Sequence, residues 1–512
     1  VILDADHPDI EEFVWTKARE EHKARALREA GFDMSLDGAD AFSIQYQNAN
    51  NSVRVSDEFM AAVEADDSWD LIARTTGAVV QTVQARDVFR QIATAAWECA
   101  DPGLQYDTTI NRWHTCPESG RIRGSNPCFP GRARVHTDKG LIRFDDLVAR
   151  VNTGESFGIF THNITADAPD QSVTVSSPEA FHITGTNPIV RLEFSNGMEL
   201  RCTPNHAVWT LNRGWVAAEH LTADDQVRSL DLATLATMAT YKLPVPTHEE
   251  AYRQKRDSRR PVALPDAWTP EFAHYLGWLI GDGCCTTANV ATIYGSADEQ
   301  SEVMPRHGSF LEAVNGGRRP KPSVQANGTY QLRLGRRAFK AFLEELGVRP
   351  VKGPEKSIPW SIFEAPPEIQ AEFLRGLFDA DGCAVLNKAK GSYVGLGSTS
   401  PRLLRGAQQL LAAQGIGSRI YQVRGASDEG QFSSTRKDGT DVGYGQSASY
   451  DLRITGLDLR RFATQVGFSL SRKAQIVADI EASWERGPYD VETGIHLLSR
   501  SDDGHELTYN LT

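Results

Sequence analysis

The stretch "RIRGSNPCFPGRARVHTDKG" (121–140) separates two regions of the sequence that differ in their pattern of apolar residues. Before it, long helical periods alternate with short strands, which is typical of an α/β domain. From Cys128 onward the pattern changes to short alternating strands separated by turns, as in "SVTVSSPEAFHITGTNPIVRLEFSNGMELRCTPNHAVWT" (172–210). The sequence therefore predicts that one domain stops and an all-β domain begins between Pro127 and Cys128.

The region 1–127 is predicted to contain three helices and a strand. Helical spacing runs through 9–30, 57–66 and 85–99, while "AFSIQYQNANNSVRV" (41–55) alternates like a strand. Ser56 is the expected N-cap of the second helix, and Pro102-Gly103 is expected to end the third. This pattern indicates the interior of an α/β enzyme domain.

The whole chain is expected to be multidomain. After the β-rich region, a polar connector that includes 247–266 leads into helices separated by strands, and the segment 483–512 returns to a β pattern. The predicted domains are therefore 1–127, 128–240, 265–480 and 483–512, the last completing the β-rich domain. Neither end has the features of a natural terminus, so we expect a fragment.

Charge and cysteine content restrict the class of protein. The net charge is −13, but residues 1–127 hold 12 Lys and Arg against 22 Asp and Glu, and the remaining residues hold 42 against 45. The acidity thus does not exclude nucleic acid as a partner of the later region. Seven cysteines, an odd count, favour reduced thiols in the cytoplasm. The adjacent pair Cys284 and Cys285 is expected to be buried. No apolar run is long enough to cross a bilayer as a helix, so no membrane partner is expected.

The β-rich region begins with "CFPGRARVHTDKG" (128–140) and continues, well downstream, with "RCTPNHAVWT" (201–210). A thiol at Cys128 can attack the carbonyl carbon of the preceding residue, because thiolate is intrinsically nucleophilic. An imidazole such as that of His206 can then protonate the departing nitrogen, and the Thr203 hydroxyl can stabilise the oxyanion. A buried structural cysteine and a core histidine are the alternative reading of each residue taken alone.

Taken together, these two segments resemble the N-terminal motifs of inteins, self-splicing segments with a Hedgehog/intein fold. The resemblance implies that Cys128 is the splicing nucleophile and that Thr203 and His206 assist it. The closing His-Asn pair of that family is missing here, and "GHELTYNLT" (504–512) resembles the start of its penultimate motif.

A second motif occurs twice, as "HYLGWLIGDGC" (274–284) and "FLRGLFDADGC" (373–383). In each copy small residues four positions apart, Gly277 with Gly281 and Gly376 with Ala380, form a flat stripe that permits close helix packing. Two such helices side by side bring the acidic residues at their ends to one spot. Two carboxylates at one spot favour Mg²⁺, with Asp282 and Asp381 as its ligands and as catalytic residues.

These copies resemble the two signatures of LAGLIDADG homing endonucleases, which implies an α+β domain with pseudo-two-fold symmetry that cuts double-stranded DNA, here the intein-less host gene. The segment "KSIPWSIF" (356–363) resembles the one whose basic residue assists cleavage, which makes Lys356 a catalytic candidate. The basic stretch 317–340 is expected to supply strands that contact DNA. Its candidate DNA-binding residues are Arg318, Arg319, Lys321, Arg333, Arg336 and Arg337.

Segments of the first region, "DADHPDIEEFV" (4–14), "QNANNSVRVSDEFM" (47–60) and "ADPGLQYDTTINRWHTCPESGRIRGSNP" (100–127), resemble the large-subunit barrel of adenosylcobalamin-dependent ribonucleotide reductases. The resemblance implies a ribonucleotide substrate, with Asn126 handling its ribose. It also implies adenosylcobalamin as cofactor of the spliced host, bound by segments outside this chain. The insertion would then interrupt the host's catalytic motif.

Two alternatives remain open. In the first, the LAGLIDADG-like module binds DNA without cutting it. In the second, residues 128–512 are only a structural insertion in a reductase. The presence of both acids argues against the first, and Thr203 with His206 beside Cys128 argues against the second.

Overall fold

A computed structural model describes residues 1–34, 40, 44, 51–99, 101–112, 128–162, 173–178, 181–228, 233–252, 262–285, 289–387, 389, 391–425, 427–435, 441–484 and 494–511. The chain divides into a first compact unit that holds residues 1–125 and a second that holds the bulk of residues 126–512. Among the described helices, none combines the length and apolar character needed to cross a bilayer.

The first unit is an α/β segment with a small parallel sheet. Its elements are β1 (Ile2–Asp4), α1 (Ile10–Glu29), β2 (Ser52–Val55), α2 (Asp57–Ala65), β3 (Ser68–Ile72), β4 (Val79–Gln84), α3 (Ala85–Cys99), β5 (Gly103–Tyr106) and α4 (Asp107–Arg112). Strands β1, β2 and β5 pair in parallel in that order, and β3 and β4 form a separate hairpin. Apolar side chains of α1, α2 and α3 share one core with the sheet.

The three predicted helices of this unit are confirmed. The Ser56 hydroxyl accepts a hydrogen bond from the Phe59 backbone N–H at 3.3 Å, so the predicted N-cap is also present. Of the predicted strand over 41–55, the structure shows 52–55 as strand, and residues 41–43 and 45–50 lie outside the described residues.

The β-rich region of the second unit is built mainly from short strands. Its elements are β6 (Phe129–Pro130), β7 (Arg134–Thr137), β8 (Gly140–Arg143), α5 (Phe144–Asn152), β9 (Ile159–His162), β10 (Val173–Ser176), β11 (Phe181–Phe194), β12 (Glu199–Cys202), β13 (Ala207–Thr210), β14 (Gly214–Ala217) and β15 (Gln226–Arg228). Helix α5 corrects the all-β prediction. Phe144, Leu147 and Val148 form its buried face, a pattern too short to stand out between strands.

The helical region follows as two consecutive series in which a long helix leads into a sheet. The first series is α6 (Pro270–Asp282), β16 (Gly283–Cys285), β17 (Val290–Tyr294), α7 (Met304–Val314), β18 (Ser323–Val324), β19 (Tyr330–Leu334), α8 (Arg337–Glu345) and α9 (Trp360–Phe363). The second is α10 (Pro367–Asp381), β20 (Gly382–Val385), β21 (Tyr393–Ser398), α11 (Pro401–Ala413), β22 (Arg419–Arg424), β23 (Ser427–Thr435), β24 (Asp441–Gln446), β25 (Ser449–Ile454), α12 (Gly456–Gln465) and α13 (Ser471–Ala482). Each series supplies a four-stranded antiparallel sheet, ordered β16-β17-β19-β18 and β20-β21-β25-β22.

Helices α6 and α10 lie against each other at the centre of this region's core. A Cβ atom added to Gly277 would collide with the Phe373 carbonyl oxygen, and one added to Gly376 would collide with the His274 carbonyl oxygen. The backbones therefore approach closer than any larger side chain permits, as the small-residue stripes predict.

The last strand, β26 (Gly494–Leu511), returns the chain to the β-rich region. It pairs along most of its length with β11, and also with β15 and β6. The sheet order is β12-β11-β26-β15-β13-β14, with β6 on the other edge of β26. This final strand thus completes the sheet that contains the predicted nucleophile, although it is distant from the nucleophile in sequence.

Two predictions about the helical region are wrong. Arg337 begins helix α8 rather than continuing a strand, because Ala338, Phe339, Phe342 and Leu343 recur at helical spacing and are buried. Cys284 is exposed and Cys285 half-buried, not both buried. They lie on the short strand β16, where successive side chains point to opposite faces.

Candidate functional site

Cys128 is held by Thr203 at both of its backbone polar groups. The Cys128 N–H donates to Thr203 Oγ1 at 3.1 Å, and the Thr203 N–H donates to the Cys128 carbonyl oxygen at 3.0 Å. The first of these contacts places the Thr203 hydroxyl at the nitrogen of the 127–128 peptide bond. The hydroxyl therefore lies at this nitrogen rather than at the oxyanion, where the sequence predicts it.

His206 follows Thr203 in a tight turn. Its N–H donates to the Thr203 carbonyl oxygen at 3.0 Å, and its ring centroid lies 4.3 Å from that of Phe129. Burial lowers the pKa of the imidazole to about 4, so the ring is neutral near pH 7. Its Nδ1 atom is buried without a hydrogen-bond partner among the described residues. The histidine is therefore a base with one nitrogen still available.

The Cys128 thiol is fully buried. Burial raises its pKa, and the hydroxyls of Thr184 and Thr508 lower it. Thr184 Oγ1 donates to Cys128 Sγ at 3.1 Å. Neither threonine is a candidate from the sequence. Thr184 belongs to no motif, nothing in the segment 504–512 links Thr508 to the thiol, and the pairing of β11 with β26 alone brings both residues to it.

Asp282 and Asp381 end helices α6 and α10, and the structure brings them together. A Cβ atom on Gly281 would stand 3.3 Å from Asp381 Oδ2, so this carboxylate lies over the residue that precedes Asp282. Desolvation, then the charge of Asp282, raises the pKa of Asp381 to about 6. Desolvation, then the charge of Glu299, raises the pKa of Asp282.

Two lysines bind the ends of the same helices. Lys356 Nζ donates to the Gly281 carbonyl oxygen at 2.5 Å. Lys473 Nζ, in a side chain that is 6% exposed, donates to the carbonyl oxygens of Phe378 at 3.1 Å and Asp379 at 2.6 Å. Both ammonium groups lower the pKa of the two aspartates, although desolvation outweighs them. Lys473 is not among the residues predicted from the sequence. Its position matches that of Lys356, however, because Lys356 comes after α8 in the first series and Lys473 comes after α12 in the second. This matching position could have identified Lys473 from the sequence.

The acid pair fits a hard divalent cation. Two carboxylates with raised pKa repel each other, and a cation between them removes that cost. Among the described residues, no cluster of three or more His, Cys, Asp or Glu side chains could hold a metal ion. Magnesium usually retains water and substrate phosphate oxygens, so two protein carboxylates are sufficient for it.

The six basic candidates for DNA contact do not form one uniform surface. Arg333 lies on the exposed face of β19 and donates to Gln331 Oε1 at 3.1 Å. Arg319 donates to the Pro305 carbonyl oxygen at 2.8 Å, in the first turn of α7, and Arg336 donates at 2.8 Å to Oδ1 of Asn315, the residue that follows α7. The remaining candidates, Arg318, Lys321 and Arg337, are exposed.

The predicted substrate-binding residue of the host, Asn126, lies outside the described residues, as does Pro127. The structure therefore describes contacts of the 127–128 peptide bond only for its Cys128 nitrogen.

Two families match separate parts of the chain. Residues 1–130 match the ribonucleotide reductase barrel domain, and residues 368–467 match the LAGLIDADG-like domain. The second match covers the second of the two repeated motifs.

Curated relatives are similar mainly over the first region. The vitamin B12-dependent ribonucleotide reductase of Streptomyces clavuligerus is 68% identical over 128 residues, which cover 25% of this chain and 13% of that protein. The NrdEB alpha subunit of Bacillus subtilis strain 168, a ribonucleoside-diphosphate reductase, is 23% identical over 450 residues, 84% of this chain and 39% of that protein. The chain thus spans a minor part of the length of these relatives, and similarity to the second extends well beyond residue 130.

Solved structures similar to parts of the chain include mesophilic variants of the homing endonuclease I-DmoI, at 16% identity and a TM-score of 0.27, covering 39% of this chain and 95% of that one. A DnaB intein from Synechocystis sp. PCC 6803 is 16% identical with a TM-score of 0.17, covering 20% of this chain and 67% of that one. The family matches confirm both of the corresponding sequence resemblances: residues 1–130 are a ribonucleotide reductase barrel segment, and residues 368–467 form a LAGLIDADG-like domain.

Proposed function

We propose that the β-rich region, with β26, is the splicing domain of an intein that begins at Cys128 and interrupts a reductase. The observation that carries this proposal is the pair of hydrogen bonds between Cys128 and Thr203, with the neutral, half-buried His206 in the turn that follows Thr203. A packing cysteine has no need of a hydroxyl at its own amide nitrogen. Similarity to a reductase subunit over 84% of this chain also supports an insertion of this kind within a reductase.

In the first step, the Cys128 thiol gives its proton to His206, whose lowered pKa keeps it a base near pH 7. The sulfur attacks the carbonyl carbon of Pro127, and the C–N bond breaks as a thioester forms. His206 returns the proton to the Cys128 nitrogen, which leaves as an amine. Thr203 holds that nitrogen in place throughout the step.

A thiol-release experiment tests the splicing proposal. Purified chain treated with a strong soluble thiol should release a fragment of residues 1–127, detected by mass spectrometry. Cys128→Ala should abolish the release, whereas Cys202→Ala, a matched change at a second buried cysteine of the same sheet, should retain it. Release that persists in Cys128→Ala contradicts the proposal.

The same chain carries a second candidate function, because the acid pair has no evident structural purpose. We propose that α6 and α10 form the pseudo-two-fold axis of a site-specific endonuclease that cuts double-stranded DNA of the intein-less host gene. Asp282 and Asp381 would hold Mg²⁺, which would activate water and neutralise the negative charge that develops on the phosphate in the transition state. Lys356 and Lys473 balance the negative charge of the acids from the two sides.

The two sheets that follow α6 and α10 offer the surface for DNA. On the second sheet Arg453 lies over the Tyr393 ring at 4.5 Å and the Tyr421 ring at 5.2 Å. On the first sheet Arg333 is exposed, whereas Gln331, which accepts its hydrogen bond, is buried. Arginines on antiparallel strands suit base edges in the major groove, and the lysines and remaining arginines suit phosphates.

Cleavage of a DNA duplex that joins the host sequences on either side of the insertion tests this second proposal. Asp282→Asn and Asp381→Asn should each abolish Mg²⁺-dependent cutting while DNA binding persists. Binding without cutting by the unaltered chain would instead support the alternative of a cleavage-inactive module, which the two intact acids do not favour.

For the first region we propose that, once spliced, it forms part of a reductase that converts ribonucleotides to deoxyribonucleotides with adenosylcobalamin. Asn126 would contact the ribose. A cytoplasmic location is consistent with the six cysteines of the described part, all of which are free thiols. Removal of the insert should be required for reductase activity, which an assay of the full host protein before and after splicing would measure.

A further inference from the structure

Thr184 lies in a bulge of the sheet that surrounds Cys128. In the antiparallel pairing of β11 with β26, Ile183 stands opposite Tyr509 and Gly185 opposite Thr508, so Thr184 is the extra residue between them. Gly185 has φ +97°, and a Cβ atom there would meet nothing within 4 Å. Glycine is therefore required at this position by the positive φ angle of the bulge and not by a lack of space for a side chain. Bulges re-aim side chains, and this one turns the Thr184 hydroxyl to the thiol.

A series of hydrogen-bonded groups leads from the Cys128 thiol through two hydroxyls to the side-chain amide of Asn187. Thr184 Oγ1 lies 3.1 Å from Cys128 Sγ and 2.8 Å from Thr508 Oγ1. Thr508 is fully buried, and its Oγ1 accepts from Asn187 Nδ2 at 2.6 Å. Each hydroxyl also has a carbonyl acceptor in reach, Thr508 O at 3.0 Å for Thr184 and Gly185 O at 2.9 Å for Thr508.

Each hydroxyl has one proton and two places to direct it. While Cys128 is a thiol, both hydroxyls can donate to the carbonyl oxygens, and the S–H can donate to Thr184. Once the sulfur is negative, Thr508 can turn its proton to Thr184, and Thr184 can turn its own to the sulfur. Asn187 donates to Thr508 in both arrangements. In the second arrangement the carbonyl oxygens of Thr508 and Gly185 give up these hydroxyl donors, and the proton that leaves the sulfur goes to His206, as in the proposed first step.

In the described part of the chain, the ionisable groups around the thiol do not supply a positive charge that would stabilise its thiolate. Burial raises the pKa of Cys202 to about 12, also raises that of Tyr509, and lowers that of His206 to about 4, so all three are neutral near pH 7. Arg132, in the turn between β6 and β7, and Arg201, on β12, both pair with Glu506 of β26. The thiolate therefore depends on hydrogen bonds more than on charge.

We infer that Thr184, Thr508 and Asn187 form a reorienting hydrogen-bond chain that stabilises the Cys128 thiolate. Thr184 contacts the reacting sulfur, and Thr508 and Asn187 are positioning residues that act through it. The inference deepens the proposed splicing function, which gives the thiolate its purpose. The hydrogen-bond chain itself concerns only the ionisation of the thiol.

Thiolate absorbance in the ultraviolet, followed against pH as the difference between the protein and its Cys128→Ser variant, measures this ionisation without requiring access to the buried sulfur. Thr184→Val should lower the thiolate fraction at pH 7 about tenfold, since a hydrogen bond to a charged group is lost. Thr184→Ser, which keeps the hydroxyl, should titrate like the parent. An unchanged titration in Thr184→Val overturns the inference.

A double-mutant cycle tests the chain beyond its first member. Thr508→Val should shift the titration in the same direction by a smaller amount, and Thr184→Val with Thr508→Val should shift it by less than the sum. Full additivity contradicts transmission through Thr184. Thiol-induced release of residues 1–127 should slow in parallel. If the unaltered protein shows no release while the titration shifts as described, the splicing proposal fails and the hydrogen-bond chain stands.

Discussion

Gly376 of α10 packs directly on the carbonyl group of His274 in α6, so that no side chain fits between the two helices at this point. Gly277 makes the reciprocal contact with Phe373 one turn further along. This mutual contact sets the separation of the helices and therefore the meeting of Asp282 with Asp381 at their ends.

Gly376→Ala and Gly277→Ala should each destabilise the second unit by about 3 kcal/mol or more, because the added Cβ meets backbone atoms that cannot move aside. The higher helix propensity of alanine offsets only about 1 kcal/mol of this loss. Chemical denaturation followed by tryptophan fluorescence measures it. The matched control is Gly397→Ala, where a Cβ meets nothing within 4 Å. A stability equal to that of the control would contradict the close packing.

Asp381→Asn should raise the melting temperature of the second unit near pH 7.5 and have little effect near pH 3.5, below the ordinary pKa of an aspartate. The folded-state pKa of about 6 lies above the ordinary value of an aspartate. Protonation therefore favours the folded state, and stability is lost as pH rises through 6. Because Asp381 retains exposed surface, solvent screening limits the gain to about 1 kcal/mol.

Mg²⁺ provides the companion measurement for that variant. Added at pH 7.5, it should raise the melting temperature of the unaltered protein more than that of Asp381→Asn, because the cation replaces the repulsion between the acids. Equal shifts in both proteins would mean that the pair holds no cation.

Lys473→Met should reduce stability by about 1–3 kcal/mol, because it removes a buried ammonium donor from the Asp379 carbonyl oxygen and from that of Phe378, which keeps only the Gly382 N–H. It should also reduce DNA cleavage strongly. Lys356→Met should affect cleavage with a smaller loss of stability, since this side chain is only partly buried. Melting curves and cleavage rates of the two variants separate the structural from the catalytic contribution.

Stability of the second unit should fall by about 1–2 kcal/mol as pH drops from 6.5 to 4, in part because of His206. Its pKa is lowered to about 4 on folding, so in this range the unfolded chain takes up a proton that the folded chain does not. In His206→Gln this fall should be smaller. A pH dependence identical in both proteins would show that the histidine is not buried in its neutral form.

Thr203→Val should slow thiol-induced release of residues 1–127 about tenfold, because the Cys128 N–H loses its acceptor. Thr203→Ser keeps the hydroxyl and should release the fragment at nearly the parent rate. Rates from time-resolved mass spectrometry at a fixed thiol concentration compare the three proteins. Equal rates in Thr203→Val and the parent would mean that the hydroxyl does not act on the scissile nitrogen.

Local patterns predicted helices α1, α2 and α3 and the two repeated motifs, because apolar spacing, N-caps and small-residue stripes are properties of short segments. Helix α5 was missed, since it is too short for a helical period to stand out among strands. The exposure of Cys284 was also missed, because apolar character does not show on which face of a strand a residue lies.

The sequence by itself determined the families of two segments and the two acids that end α6 and α10, and it predicts the junction at Cys128. Only the tertiary structure brings Thr184 and Thr508 to the Cys128 thiol. The physical reason is that β11 and β26, which pair with each other, lie at distant positions along the chain. Such long-range contacts depend on register and bulges that no local pattern specifies.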